Sequence, residues 1–451
     1  MAEIKPFRGI TYNQKKVLNL SLVIAPPYDV ISDKARERLY QNSNFNIVRV
    51  IKGKTEPADS PHSDNPYTRA AQFFQSWLKE HILERDTDPC FYIMEDEYTI
   101  SGYGQKSVRQ GFMALVKLET FDSGVILPHE KTLSKPKEDR LRLIQACKAN
   151  LSPIFALYSD PLRKTNSIFQ EIKAQISPFI DVLSQERIVH RVWRVSLPEI
   201  IRELTEEMKS KPVLIADGHH RYETALNYWQ QMKDTLRVDD PRRVNYSYVM
   251  MYFANMDDPG LTVLPYHRLL KNLPQEIMNN WKTLVSPFFR VEGFPFDGLI
   301  TEEHQARKRM FSQLAEKRKK SIPAYGLYTG DKHYYLLSLR EGVNLQQEIP
   351  GDQPPLYKGL DVTVSDRLII NNTIGSDICT VKENCLGFSH DPLEAIGDVN
   401  NGTYQMALFL NPTHINQVYQ IASLGHQMPQ KSTFFYPKLP TGLIMRQIES
   451  D

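Results

Sequence analysis

Val213-Leu214-Ile215-Ala216-Asp217-Gly218-His219-His220-Arg221-Tyr222-Glu223-Thr224-Ala225-Leu226-Asn227-Tyr228-Trp229 reads as a strand, a tight turn and a helix. The apolar run up to Ala216, opened by Pro212, predicts a short buried strand. Tyr222, Ala225, Leu226 and Trp229 recur at spacings of three and four, so the helix that follows has one apolar face. The turn Asp217–Arg221 therefore sits at a helix N-terminus, where free N–H groups and the helix dipole favour a bound anion. Gly218 lets a ligand or backbone approach closely. Arg221 can grip a phosphate or carboxylate bidentately, and Asp217 can hold a metal ion or a hydroxyl. His219 and His220 are consecutive and on a helix point about 100° apart. One facing a ligand and one supporting it is expected, rather than joint metal binding. Any one of these residues alone reads better as part of a capped helix with a solvated His-His-Arg surface; the whole run, between an apolar strand and an apolar helix face, points to a site.

Outward from this stretch the chain alternates strands and helices. Ser196-Leu197-Pro198-Glu199 has capping-box spacing, with Ile200, Ile201, Leu204 and Met208 as an apolar stripe behind it. Tyr246–Phe253, Tyr334–Leu337 and Met406–Leu410 read as strands. Phe91–Met94 and Val108–Val116, separated by Gly102-Tyr103-Gly104, suggest a hairpin. Tyr67–Leu83 is helical, with Ala70, Phe73, Phe74, Trp77 and Leu78 on one face. Leu22–Ala25 and Asn46–Ile51 are short apolar runs read as strands, and Thr55–Asn65 as an exposed loop. The class is α+β, or mixed α/β. Three regions are expected: 1–125, 126–299 with the motifs, and 300–451.

The 451 residues, 41% of them hydrophobic and 24% charged, suffice for a substantial core. Fifty-five Lys and Arg against 53 Asp and Glu leave a formal charge of +2. That predicts no nucleic-acid or anionic-membrane partner, so anion binding must come from a local site. No apolar leader core or spanning segment is apparent. Cys90, Cys147, Cys379 and Cys385 form no CxxC pair; Cys379 and Cys385 could pair, but reduced thiols in a cytoplasmic protein are expected.

Two further clusters carry chemistry. Leu127-Pro128-His129-Glu130-Lys131-Thr132, followed by Lys135–Arg140, precedes a helix containing Leu141, Leu143, Ile144 and Cys147. Glu130 is a candidate general base, with His129 beside it in the pocket. Lys131, Lys135 and Arg140 could hold phosphates, or Glu138, Asp139 and Arg140 could simply form surface pairs. Near the end, Met428–Lys438 contains Lys431-Ser432-Thr433, which resembles the close of a phosphate-binding loop. The glycine-rich first half is absent, so it is not a Walker A motif. These three residues can still touch phosphates, while a proline-bounded aromatic strand explains the stretch equally well. Tyr28 and Asp29, in the turn Ala25–Val30, are candidate pocket walls. His267 and Arg268, in Pro265–Arg268, are pocket candidates too, although His267 also reads as a structural histidine.

Taken in order, Phe7-Arg8-Gly9, Ala25–Ile31, Pro128-His129-Glu130 with Asp139-Arg140, Ala216–Thr224, Leu264-Pro265 with His267-Arg268, and Met428–Lys438 with Thr441-Gly442-Leu443 resemble the domain-of-unknown-function 1015 family over essentially the whole chain. More distantly, Asp217–Arg221 is similar to the signature of free-serine kinases on the ParB/sulfiredoxin fold. In those kinases a Gly-x-x-Arg turn holds nucleotide phosphates, and a Pro-His-Glu element supplies the glutamate that activates the serine hydroxyl. The resemblance implies a ParB/sulfiredoxin-like catalytic core with additional α/β portions. It implies a kinase taking ATP or ADP with Mg2+, a serine acceptor, and a homodimer as the candidate assembly. On it Glu130, Asp217 and His220 are catalytic; Asp217 is also the metal ligand. Gly218, His219, Arg221, Lys131, Arg140, Lys431, Ser432 and Thr433 hold phosphates. Phosphoryl transfer suits such a turn, because it asks mainly for held phosphates and an oriented hydroxyl. One feature departs from the small kinases: Glu130 and Asp217 are 87 residues apart, a gap that an insertion at roughly Asp160–Pro198 would absorb. A ParB-like nucleotide-binding regulator and a metal-dependent hydrolase are the alternatives. The first lacks a basic helix-turn-helix, and the second lacks a standard zinc spacing.

Overall fold

Alternating apolar side chains build the first sheet of the computed structural model, which describes residues 2–60, 63–100, 104, 106–371 and 385–449. Its strands are β1 (Ile4–Lys5), β2 (Phe91–Thr99), β3 (Lys106–Lys117), β4 (Ile126–Leu127), β5 (Ile154–Tyr158), β6 (Ile180–Leu183), β7 (Val189–Val195), β8 (Val213–Asp217) and β9 (Tyr248–Asn255). They run in the order β4-β8-β5-β9-β3-β2-β7-β6, with β1 also on β3. The pairs β4–β8 and β5–β9 are parallel and the others antiparallel. Side chains two apart share a face: Phe91 and Ile93, Phe112, Ala114 and Val116, Ile154 and Ala156, Val213 and Ile215, and Met251 and Phe253 form one core. Against it pack α3 (Lys164–Gln175), α4 (Pro198–Lys209) and α5 (His219–Thr235), through Phe169, Leu204, Met208 and Tyr222. Two earlier helices, α1 (Pro66–Lys79) and α2 (Ser134–Cys147), belong to the same unit.

The helix expected near Tyr67, the hairpin and the strands after Pro212 and near Tyr248 are all present. The hairpin's Gly102 and Tyr103, and Cys379, lie outside the described residues; Cys90 and Cys147 are free thiols, and they and Cys385 are buried. Two short runs differ from expectation. Val48–Ile51 is a helical turn, because Asn46 turns its side chain back to accept from Val48 N–H at 2.9 Å and to donate to Leu22 O at 2.8 Å. Periodicity cannot separate a strand from a helical turn that is buried on all sides. Leu20–Leu22 is a 3-10 turn capped by Asn19, and only Ala25 bridges another strand-like segment, at Thr441. The Ser196 capping box does not form: α4 starts at Pro198 without a side-chain cap.

The chain divides into two compact units rather than three regions. One comprises Met1–Ile100, Gln105–Thr262 and Pro437–Asp451; the other is chiefly Val263–Tyr436. The expected boundary at 125/126 fails because β2 and β3 pair with β7 and β9 inside one sheet. The boundary at 299/300 falls within the second unit. That unit is built on β10 (His267–Leu270), β11 (Phe289–Pro295), β12 (Ala324–Tyr328), β13 (His333–Leu339), β14 (Leu386–Ser389) and β15 (Met406–Phe409). They form an antiparallel sheet in the order β11-β13-β12-β15-β10-β14, with apolar clusters on both faces.

The closing segment returns to the first unit. Ala25 bridges Thr441 and Ile10 bridges Met445. Arg446 is fully buried and donates to Tyr248 O at 2.6 Å and Asn245 O at 2.8 Å. Leu439, Leu443, Ile444, Met445 and Ile448 are buried too. At about 1.5–3 kcal/mol per buried apolar side chain, ending the chain after Tyr436 is expected to destabilise the first unit by at least ~5 kcal/mol. Denaturant unfolding checks this; an unchanged midpoint contradicts it.

Candidate functional site

The two motifs meet. Val213 pairs with Ile126 and Leu214 with Leu127 on parallel strands. Both motifs therefore leave the carboxyl ends of neighbouring strands, where open α/β sheets commonly bind ligands. From β8 the chain passes through Gly218 into α5; from β4 it passes through Pro128–Leu133 into α2. The intervening residues supply β5, α3, β6, β7 and α4, which take other places on the sheet. The long sequence gap thus leaves Pro128–Leu133 beside the turn.

Two histidines hold the loop there. His129 N–H donates to His219 Nε2 at 3.1 Å, and Leu133 N–H donates to His220 Nε2 at 2.9 Å. Each accepting ring is neutral at Nε2, with its proton on Nδ1. Thr132 Oγ1 reaches both Glu223 oxygens at 2.9 and 2.8 Å, and Lys137 Nζ reaches Oε2 at 2.8 Å. His129 is buried, donates from Nδ1 to Ile215 O at 2.7 Å, and sets its ring edge-on to His219 at 4.6 Å. Burial lowers the pKa of His129, His219 and His220; for His219 the neighbouring His129 adds to it. Both ring acceptors of the turn are thus committed to backbone. Glu130 is partly exposed, and its carboxylate lies 3.9 Å from His129 Nε2, beyond hydrogen-bond reach.

Asp217 is the other fixed point. An extra residue between the pairs Ile215–Ala156 and Asp217–Phe155 makes a bulge, the usual device for re-aiming a strand's last side chain. Its Oδ2 accepts from Arg221 Nη2 at 2.9 Å and its Oδ1 from Lys438 Nζ at 3.1 Å. Burial alone would raise this carboxyl's pKa, but the Lys438 and Arg221 charges hold it well below the carboxylate range. Arg221 also donates to Pro153 O. Its guanidinium lies beneath Gly218, where a Cβ would come within 2.9 Å of Nε, and Gly218 has φ +96°. Here glycine is required twice over. No side chain caps α5, so its first N–H groups have no side-chain acceptor at the cap.

Arg221 and Arg140 line one cavity of about 60 Å³ together with Tyr28, Ser152 and Thr224. A second, of about 160 Å³, shares Tyr28 and Arg140 and adds Lys52, Tyr67 and Asp139. Arg140 lies 3.9 Å over the Tyr28 ring and bonds Asp139 and Ile51 O. Asp29 and Lys131 are exposed. Lys438 and Lys52 escaped the sequence reading. Lys438 closes the stretch Met428–Lys438, and Lys52 follows a helical turn that its apolar pattern makes look like a strand; neither lysine carries a local signal of its own.

His267, Arg268, Lys431, Ser432 and Thr433 belong to the second unit. His267 is buried, accepts from Leu410 N–H at 3.3 Å, and burial pushes its pKa down to about 3. Arg268 is buried and bonds Asp366, Tyr266 O and Lys431 O. Ser432 donates to Pro429 O, and Thr413 to Ser432 O. These are structural contacts of that unit. Among the described residues no three His, Cys, Asp or Glu side chains gather as a metal site. Both oxygens of Asp217 already face cations, so a divalent ion does not fit there.

A family model described as "Protein of unknown function (DUF1015)" matches residues 4–363, and the chain belongs to that family. No curated protein matches it significantly. Among solved structures it is similar to a conserved hypothetical protein from Pyrococcus furiosus, at 14% identity over 73% of this chain and 93% of that one, with a TM-score of 0.32. Free serine kinase in complex with AMP matches at 13% identity over 72% and 86%, TM-score 0.32. SbnI with a C-terminal truncation, from Staphylococcus aureus, matches at 10% over 74% and 87%, TM-score 0.31.

The buried neutral histidines set a pH dependence. Their folded pKa values lie below the ordinary 6.5, so below pH 6.5 the unfolded chain binds more protons. Stability is fully present above pH 6.5 and falls as pH falls, by about 1.4 kcal/mol per unit for each such histidine. Melting midpoints between pH 7.5 and 5 should drop, and His219→Gln should flatten the slope; a flat wild-type profile contradicts the neutral rings. Gly218→Ala is expected to cost about 1–2 kcal/mol, measured the same way.

Proposed function

We propose that this DUF1015 protein is a nucleotide-dependent small-molecule kinase with a ParB/sulfiredoxin-like core, phosphorylating free L-serine to O-phosphoserine from ATP or ADP. The observation that carries the reading is the stapling of the Pro128–Leu133 loop onto the first turn of α5 by His219 and His220. It brings a partly exposed carboxylate, Glu130, into the same neighbourhood as an uncapped helix N-terminus.

In this reading the N–H groups of His219, His220 and Arg221 hold nucleotide phosphates, and Arg221 and Arg140 add positive charge along the cavity they line. Glu130 takes the proton of the acceptor hydroxyl. The hydroxyl oxygen then bonds to the terminal phosphorus, and the nucleotide leaves with the bridging oxygen and one phosphate fewer. His220, expected to act catalytically, is a positioning residue here: it holds the loop that carries Glu130. Magnesium carried by the nucleotide phosphates would neutralise their charge, and Asp217, whose oxygens face Arg221 and Lys438, would not be its ligand. The ring nitrogens committed to backbone count against the hydrolase alternative.

Incubating the protein with serine, magnesium and ATP or ADP should yield O-phosphoserine, detected by mass spectrometry. Glu130→Gln should lower kcat by roughly 10²–10⁴-fold while nucleotide affinity stays unchanged. No nucleotide binding and no turnover of any hydroxyl amino acid would sink the reading; a fully active Glu130→Gln would remove the base.

A further inference from the structure

We propose that Lys438 is a phosphate-contacting residue of this site, held over it by a strap whose carbonyl is gripped by a buried arginine. The proposal rests on the nucleotide reading above and assigns to it a cation from the far end of the chain.

Lys438 lies 221 positions from Asp217 and touches it at 3.1 Å. The two cations on Asp217 are not equivalent. Arg221 is fixed: it bonds Asp217 and Pro153 O and is roofed by Gly218. Its rigid fork is spent on protein. Lys438 is a point charge on a flexible stem with three donors. Its stem lets Nζ meet an anion while it stays beside Asp217. Asp217, Arg221 and Lys438 together carry one net positive charge beside the positive end of α5, so a phosphate is the chemistry that this corner attracts.

The backbone before Lys438 is held by an unusual device. Arg109, 1% exposed, donates from Nη1 to Pro437 O at 2.6 Å. The rest of its guanidinium bonds Asp96 Oδ2 at 3.1 and 2.6 Å. Asp96 is also buried and meets His190 Nδ1 at 2.6 Å. Asp96 and Arg109 are cross-strand partners on β2 and β3, and the guanidinium lies 4.7 Å over Phe155, the residue paired with Asp217 on the sheet. Burying an ion pair brings little net stability, and such pairs are best explained where they fix a geometry. The geometry fixed here is the approach of Pro437-Lys438 to Asp217. Anchoring the strap alone needs no lysine, since Leu439, Leu443 and Ile444 are buried.

Calorimetric titration of the full chain tests this with ADP and with adenosine, which lacks phosphate. Lys438→Met should weaken ADP tenfold or more, change adenosine less than twofold, and recover most ADP affinity as Lys438→Arg. Equal loss for both ligands means a structural role and overturns the proposal, as does unchanged ADP affinity. If the wild type binds no nucleotide, the kinase reading falls and this assignment with it. A wild-type measurement guards against a variant that does not fold: ADP, but not adenosine, should slow acylation of Lys438 by an amine-directed reagent, and equal rates overturn the assignment.

Discussion

The carboxylate of Asp217 ties together three pieces of chain that the sequence keeps far apart. It ends β8, its Oδ2 takes Arg221 from the first turn of α5, and its Oδ1 takes Lys438 from the closing segment. A lone, partly buried carboxylate would be shifted toward its neutral form; with two cations it stays ionised and becomes a joint. The bulge before it, the glycine after it and the arginine beneath that glycine all serve this one placement. The histidine staples then hang the Glu130 loop from the same helix turn.

Near neutrality of the whole chain masks this local charge. A formal +2 spread over 451 residues gives no long-range pull on a polyanion. The corner around Asp217 is nonetheless positive, because two cations and a helix start surround one anion. Selective attraction of a small phosphate fits that distribution better than attraction of a polymer does.

The strand, turn and helix around Gly218 were legible because each signal is local: an apolar run, a residue free to take positive φ, and a period of three to four. Pairing of the two motifs was legible as a resemblance, yet not from spacing, since the intervening strands and helices are threaded elsewhere in the sheet. What the histidines do was not legible. Adjacent rings on a helix look like ligands until the backbone N–H groups of His129 and Leu133 are seen to occupy them. Asn46 shows the same limit on a smaller scale, one side-chain amide turning an apparent strand into a helical turn. Lys438 and the two-unit division depend on which distant strands pair, and no local pattern encodes that.

Return of Pro437–Asp451 to the first unit has a consequence for biosynthesis. Val263–Tyr436 must all be translated before Lys438 exists, on the order of ten seconds or more at ordinary elongation rates. Throughout that interval the first unit stands on the ribosome without its last buried side chains, with Arg109 lacking its carbonyl and Asp217 holding one cation instead of two. In such a nascent chain the contacts of Lys438 with Asp217 and of Arg109 with Pro437 O form only once the closing segment has emerged.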